Sequence, residues 1–230
     1  RYMADTHEVI NVSSELQNYN LYQQDIALRE AVEREGADWA NESLSTFGEK
    51  LGTSAYLELG HLANKFTPEF DTHDRFGNRT DLVTYHAAYH QLMQTAIENG
   101  IHSAPWVDPK PGAHVARAAM MLMHSQVEAG HGCPITMTFA AIPSLRTTPA
   151  LSKIWEPKIT SRIYDPRNVP VEQKAGITIG MGMTEKQGGS DVRANTTRAF
   201  PLGGSGPAEP YELVGHKFFL SAPMCDAFLV

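Results

Sequence analysis

The residues best equipped for chemistry lie in one run, Ile177 to Asp191, which reads Ile-Thr-Ile-Gly-Met-Gly-Met-Thr-Glu-Lys-Gln-Gly-Gly-Ser-Asp. Thr184 and Ser190 bring hydroxyls that donate and accept, and Glu185 and Asp191 bring carboxylates. Gly188 and Gly189 let a backbone approach a ligand closely and leave loop N–H groups free. Such a set suits a phosphate or the edge of a heterocycle. No Gly-Lys-Ser/Thr and no G-x-G-x-x-G follows the apolar run, so neither the P-loop nor the dinucleotide fingerprint applies. On residue types alone this is a ligand-cradling loop whose ligand is unspecified.

Other constellations are weaker. His86 and His90 stand at i, i+4 and could make half a metal site, but no intervening Glu or third ligand accompanies them, which favours packing or surface roles. His114, His124 and His131 cluster in sequence, yet the spacing of the first two misses a common helix face. Cys133 precedes a proline in an apolar stretch and reads as an inert buried thiol. Met120 and Met123 read as core.

The elements that position the loop change character along the chain. Asn11 to Asn20 reads as an extended polar arm. Helical periodicity covers Leu21–Glu35 (Leu21, Leu28 and Val32 on one face), Asp38–Glu49, and Ser54–Lys65 with Ser54 as N-cap and Leu57, Leu62 and Ala63 inward. Thr67 to Leu82 reads as a loop. Helices are predicted again at Thr84–Asn99 (Tyr85, Tyr89, Leu92, Met93, Ala96), His114–Ala129, Ile135–Ala141 and Ala150–Ile159. From Ala175 the period becomes two, predicting strands at Ile177–Met183, Asn195–Phe200, Tyr211–Ser221 and Asp226–Val230. A helical domain over residues 1–172 and a β-domain from 173–230 follow.

At 230 residues the chain can bury a sizeable core. Its net charge of −7, without a basic stripe carrying interleaved aromatics, gives these residues no footprint for nucleic acid. No apolar run approaches the roughly 20 residues of a membrane span. Two cysteines, Cys133 and Cys225, are too few for a disulfide framework and point to a reducing cytoplasm. A start at Arg1 and a stop inside an apolar strand at Val230 suggest the N-terminal part of a longer polypeptide.

Met183-Thr184-Glu185 followed by Gly189-Ser190-Asp191 resembles the flavin loop of the acyl-CoA dehydrogenase family, T-E-x-x-x-G-S-D. Gly215-His216-Lys217-Phe218-Phe219-Leu220-Ser221 is similar to that family's G-x-K-x-W-[IF]-[TS] strand, with Asp226 to Val230 as its continuation. Lys186 replaces the family's usual Pro, and Phe219 stands where most members carry Trp. These departures, with Gln126-Val-Glu-Ala-Gly130, Cys133-Pro-Ile-Thr-Met-Thr-Phe139, Leu51-Gly-Thr53 and Leu57-Glu-Leu-Gly60, resemble the AidB branch of alkylation-response flavoproteins.

The resemblance implies a fold with an N-terminal α-domain, a middle antiparallel β-barrel domain of which this chain holds the start, and a C-terminal four-helix domain outside these residues. It implies FAD as cofactor and removal of hydrogens from an acyl-CoA thioester. By resemblance, Thr184 contacts the pyrimidine edge of the flavin, and Gly189 and Ser190 the phosphate region or a thioester. Ser221 lies near O4 and N5, Phe219 packs on the ring, and Met181, Met183 and Leu220 supply main-chain contacts and apolar walls. The catalytic base is a Glu of the C-terminal domain, Glu185 being structural. The family assembles as homotetramers, so residues 1–230 alone are expected to hold FAD weakly. Three readings stay open: a working dehydrogenase, a flavoprotein that shields double-stranded DNA through its C-terminal domain, and a scaffold without activity.

Overall fold

A computed structural model describes residues 6–230. Capping side chains set the helix starts. Asn20 Oδ1 accepts from the N–H of Tyr22 and Gln23 to begin α1 (Leu21–Gln24), and Asp25 accepts from Leu28 to begin α2 (Ile26–Arg34). The expected single helix over 21–35 is therefore two, because Asp25 caps a fresh start. A 3₁₀ turn at Asp38–Ala40 leads into α3 (Asn41–Leu51). In α4 (Ser54–Lys65) the cap is Thr53 rather than the expected Ser54, since extended Thr53 turns its Oγ1 onto the Tyr56 N–H. Tyr56 and Gly60 are consequently the buried residues of α4, with Leu57, Leu62 and Ala63 half-buried. A Cβ on Gly60 would lie 2.0 Å from the Val127 carbonyl oxygen, so two backbones meet there where only glycine fits.

The expected loop at 67–82 contains a hairpin instead. Strands β1 (Glu69–His73) and β2 (Arg79–Thr84) pair antiparallel, with Phe70 opposite Val83. Asp74 closes their turn by accepting from the N–H groups of Phe76 and Asn78. β1 is exposed on both faces, so no alternation of apolar residues marks it.

Helices α5 (Ala87–Glu98), α6 (Ala104–Val107), α7 (Ala113–Val127), α8 (Gly132–Arg146) and α9 (Pro149–Ile159) complete the helical half. Leu44, Leu51, Leu92, Met123 and Ile135 are sealed in its main core. A second, smaller core of Ala141, Ile142, Ile159, Ile177 and Ile179 joins α8 and α9 to the strand half.

The strands are shorter than the sequence predicts. β3 (Ile179–Met181) runs parallel to β6 (Ala227–Leu229), and β4 (Arg198–Pro201) antiparallel to β5 (Tyr211–Val214). Beyond Gly215 the predicted strand to Ser221 keeps one bridge, Glu185 to Lys217. Thr138 of α8 ties the halves: its hydroxyl accepts from the buried Ile179 N–H at 3.0 Å and donates to the Pro134 carbonyl at 2.7 Å. Lys174 and Asp226 pair at 2.6 Å, and Asp226 also accepts from the Thr178 N–H. No helix among the described residues is long and apolar enough to cross a membrane.

Candidate functional site

The two sequence motifs lie side by side. The Lys186 N–H donates to the His216 carbonyl at 3.2 Å, and the Phe218 N–H donates to the Thr184 carbonyl at 3.1 Å. Leu220 packs onto Gly182, where a Cβ would stand 2.4 Å from its Cδ2. Met181 leans into the smaller core, whereas Met183 is 49% exposed and its carbonyl accepts from Asn195 Nδ2 and Lys217 Nζ. The Thr184 side chain lies against Gly189, Ser190 is exposed, and nothing approaches the position a Cβ would take on Gly188. Phe218 and Phe219 project from the surface.

Glu185 holds this loop. Its side chain is 1% exposed and accepts from the backbone N–H groups of Thr196 and Thr197 at 2.8 Å, from both of their hydroxyls, and from Gln187 and Lys217. The Thr196 N–H, with the Thr197 hydroxyl and N–H, holds the carboxyl far below the usual range, against the opposing pull of desolvation. A carboxylate saturated by donors keeps its charge and takes up no proton. Glu185 is a structural hub.

Where the helical and strand halves meet, two cavities open. A proximal chamber of about 400 Å³ is lined by Phe66, His86, Tyr89, Glu128, His131, Cys133 and Ser221 among others. A distal chamber of about 360 Å³ lies between β2, α5 and residues 163–178, with Leu82, Met93, Ile97, Tyr164, Cys225 and Asp226 on its walls. The motif residue Ser221 thus reaches the proximal chamber, while Thr184, Gly189, Ser190 and Phe219 lie off its wall.

A buried polar chain ends at this chamber. Glu128 accepts from the N–H groups of Gly130 and His131 and from His131 Nδ1 at 2.8 Å. His131 Nε2 meets His124 Nδ1 at 3.0 Å, and His124 Nε2 meets the Tyr56 hydroxyl at 3.0 Å. An ionised Glu128 can only accept, so in the neutral chain each donor points toward it, from Tyr56 through both imidazoles. Burial pushes the Glu128 carboxyl up, but the His131 imidazole and the backbone N–H groups outweigh it and hold it down at about 2. Burial drives His124 down to about 2, with His131 adding to the shift.

The histidine spacing in the sequence concealed this pair. The chain reverses between α7 and α8 and brings His124 and His131 together, although no common helix face could. The Glu-Ala-Gly that makes the reversal was the available signal. His86 and His90 do not share a helix face: His86 caps α5 and stacks on Phe66, while His90 bonds the Tyr164 hydroxyl at 2.8 Å. Cys133 is exposed, not buried, because Pro134 and Ile135 take the inward positions at the start of α8. Cys225 is the sheltered thiol, and burial pushes it up to about 11. No group of three possible metal ligands occurs among the described residues.

Comparison with known proteins places these features in context. Residues 11–166 match the family model of the adaptive response protein AidB N-terminal domain. An Escherichia coli K12 protein named "Putative acyl-CoA dehydrogenase AidB" is 51% identical over 98% of this chain and 41% of its own length. A Caenorhabditis elegans protein, acyl-CoA dehydrogenase family member 11, is 30% identical over 81% of this chain and 29% of its own. Among solved structures, the apo form of Bd2924 superposes with a TM-score of 0.78 at 28% identity, covering 94% of this chain and 43% of that one. Caenorhabditis elegans ACDH-11 in complex with C11-CoA gives 0.76 at 25% identity, covering 94% and 36%. The chain thus spans less than half the length of the relatives it matches.

Proposed function

This chain belongs to the acyl-CoA dehydrogenase family, in its AidB branch, and from that premise we propose that it forms the flavin-facing and acyl-facing part of an FAD-dependent acyl-CoA dehydrogenase of modest turnover, linked to the response to DNA alkylation. The carrying observation is the placement of Ser221: it follows the exposed Phe218–Leu220 segment beside the Thr184 loop and also lines the proximal chamber. One residue thereby belongs to the cofactor side and to the substrate side.

The residues present fit a flavin. Met183, Phe219 and Leu220 expose apolar surface, Thr184 and Ser190 offer hydroxyls, and the open backbone of Gly188 leaves room for close approach. Bound FAD would supply the hydride acceptor, which no side chain can provide. Thr184 would orient the ring edge, Phe219 would cover a face, and Ser221 would sit where ring and acyl group meet. Neither Glu128 nor Glu185 is offered as the base that removes the α-proton, because hydrogen-bond donors already engage both carboxylates. That role falls to a carboxylate beyond these residues, as in the family pattern. The complex of ACDH-11 with C11-CoA supports the choice of an acyl-CoA ligand. Any contact with double-stranded DNA is assigned to the C-terminal domain, because the net charge here is −7, and the tetramer to the same domain, as the family resemblance implies.

The test is the visible absorption spectrum of the full-length protein as purified, followed by anaerobic titration with straight and branched acyl-CoAs. A yellow protein that bleaches supports the dehydrogenase. A yellow protein that does not bleach moves the reading to a DNA-protective flavoprotein, with salt-dependent DNA binding as the next measurement. A colourless protein that ignores added FAD overturns the proposal.

A further inference from the structure

A third cavity, of about 250 Å³, opens in the helical half between the 3₁₀ turn at Asp38–Ala40, the chain from Asn99 to Ile101, α6 and α7. It shares no lining residue with the two chambers at the seam. Arg117 of α7, half-buried, lines it. The Arg117 Nε–H donates to the Ile101 carbonyl at 2.7 Å, and the guanidinium carbon lies 3.6 Å from the centroid of the Phe139 ring. Its Nη2, however, is sealed from water and has no hydrogen-bond partner among the described residues. Arg162, which is exposed, lines the same cavity and makes only a long bond of 3.4 Å from Nη1 to the Glu98 carbonyl. Neither guanidinium belongs to an ion pair among the described residues. Burial depresses Arg117 below the ordinary arginine value, and no carboxylate acts against it. A cation held out of water without a counter-charge is costly, and a ring beneath it offsets only part of the cost. The one carboxylate on the wall, Asp108, is taken by Lys110 at 2.9 Å. Of the remaining wall, Ser43 and Asn99 are polar, whereas Ile101, Ala104, Ala116 and Met120 are apolar.

We propose that this cavity is a binding site for a small organic acid, a monocarboxylate with an apolar body, whose carboxylate supplies the counter-charge that Arg117 lacks. Arg162 offers the carboxylate its planar fork of donors, and Arg117 attracts it by charge through a poorly screened interior. Asp108 on the same wall disfavours a second negative charge, which selects a monocarboxylate over a phosphate. The apolar body of the acid packs on Ile101, Ala104 and Met120. A cavity below the size of drug-binding pockets takes a small acid. The site stands apart from the seam and does not rest on the acyl-CoA reading.

Calorimetric titration of the full-length protein with benzoate, benzyl alcohol and inorganic phosphate tests the site. Benzoate is expected to bind. Its neutral counterpart benzyl alcohol, and phosphate, should bind at least about tenfold more weakly, the scale of a lost hydrogen bond to a charged group. Arg117→Met should weaken benzoate by a similar factor. Arg162→Gln, at an exposed position remote from the core, should do the same and keeps the test readable if Arg117→Met folds poorly. Benzoate should also raise the urea midpoint of the wild type more than that of either variant. Benzoate that fails to bind, or that binds both variants as tightly as the wild type, overturns the site and leaves Arg117 a structural cation held by Phe139 and the Ile101 carbonyl. Phosphate that binds more tightly than benzoate overturns the choice of a monocarboxylate.

Discussion

Leu92 of α5 and Leu213 of β5 are the same residue type in regular elements, yet the first is sealed in the core and the second is 60% exposed. The contrast extends across the two halves. The helical half buries Leu44, Leu51, Met123 and Ile135 and even sequesters the polar groups of Tyr56, His124, His131 and Glu128 in one internal chain. The strand half turns Met183, Phe218, Phe219, Leu220 and Val230 outward, next to hydroxyls and bare glycine backbone. Its most deeply buried polar group, Glu185, braces the loop that carries Thr184. The helical half is therefore the more closely packed of the two, and the strand half leaves more apolar side chains at the surface.

The largest expected effect sharpens this contrast. Leu92→Ala should cost ~2–5 kcal/mol in urea unfolding, whereas Leu213→Ala should stay within ~0.5 kcal/mol. Comparable losses at the two sites would erase the distinction.

Acid should separate the halves next. Burial lowers His102 to about 4 and His124 to about 2, so both stay neutral in the folded protein and bind protons on unfolding. Their contribution is present above the ordinary histidine range and is lost as pH falls below ~6.5, on the order of 2 kcal/mol for each histidine between pH 7 and 5. Glu185, held below its ordinary value, contributes above the glutamate range and loses that contribution only below about pH 4.3. Hydrogen exchange should thus show the α7–α8 junction loosening by pH 5, with the Thr196 and Thr197 amides still protected. Simultaneous loss of protection would contradict the assignment.

Thr138→Val comes third. It strands the buried Ile179 N–H at the seam between the halves and should cost ~1–3 kcal/mol. The matching change Thr184→Val, at a hydroxyl without a partner among the described residues, should alter stability by less than ~0.5 kcal/mol while weakening flavin retention. Chemical denaturation and the absorbance of released flavin would report the two effects separately.

Much of this organisation was legible in the sequence where periodicity or motif order carried it. The Thr184–Asp191 loop and the Gly215–Ser221 segment follow each other in family order, and the structure sets them side by side. The apolar faces of α5 and α7 are written in their spacing. What escaped depends on relations that no local pattern encodes. The β1–β2 hairpin is solvated on both faces of β1 and shows no alternation. The His124–His131 contact arises from a chain reversal, and the exposure of Cys133 from the phase at which α8 begins. Tyr85 reads as a helix residue, but His86 caps the helix after it and leaves Tyr85 on a joint between elements.

The most direct test of the central claim, that the outward apolar face of the strand half is the flavin seat, is hydrogen exchange on the protein loaded with flavin against the same protein stripped of it. Protection should be gained over residues 182–190 and 216–221, with the helical core around Leu92 unchanged. Protection that appears elsewhere, with those two segments exchanging as before, would contradict it.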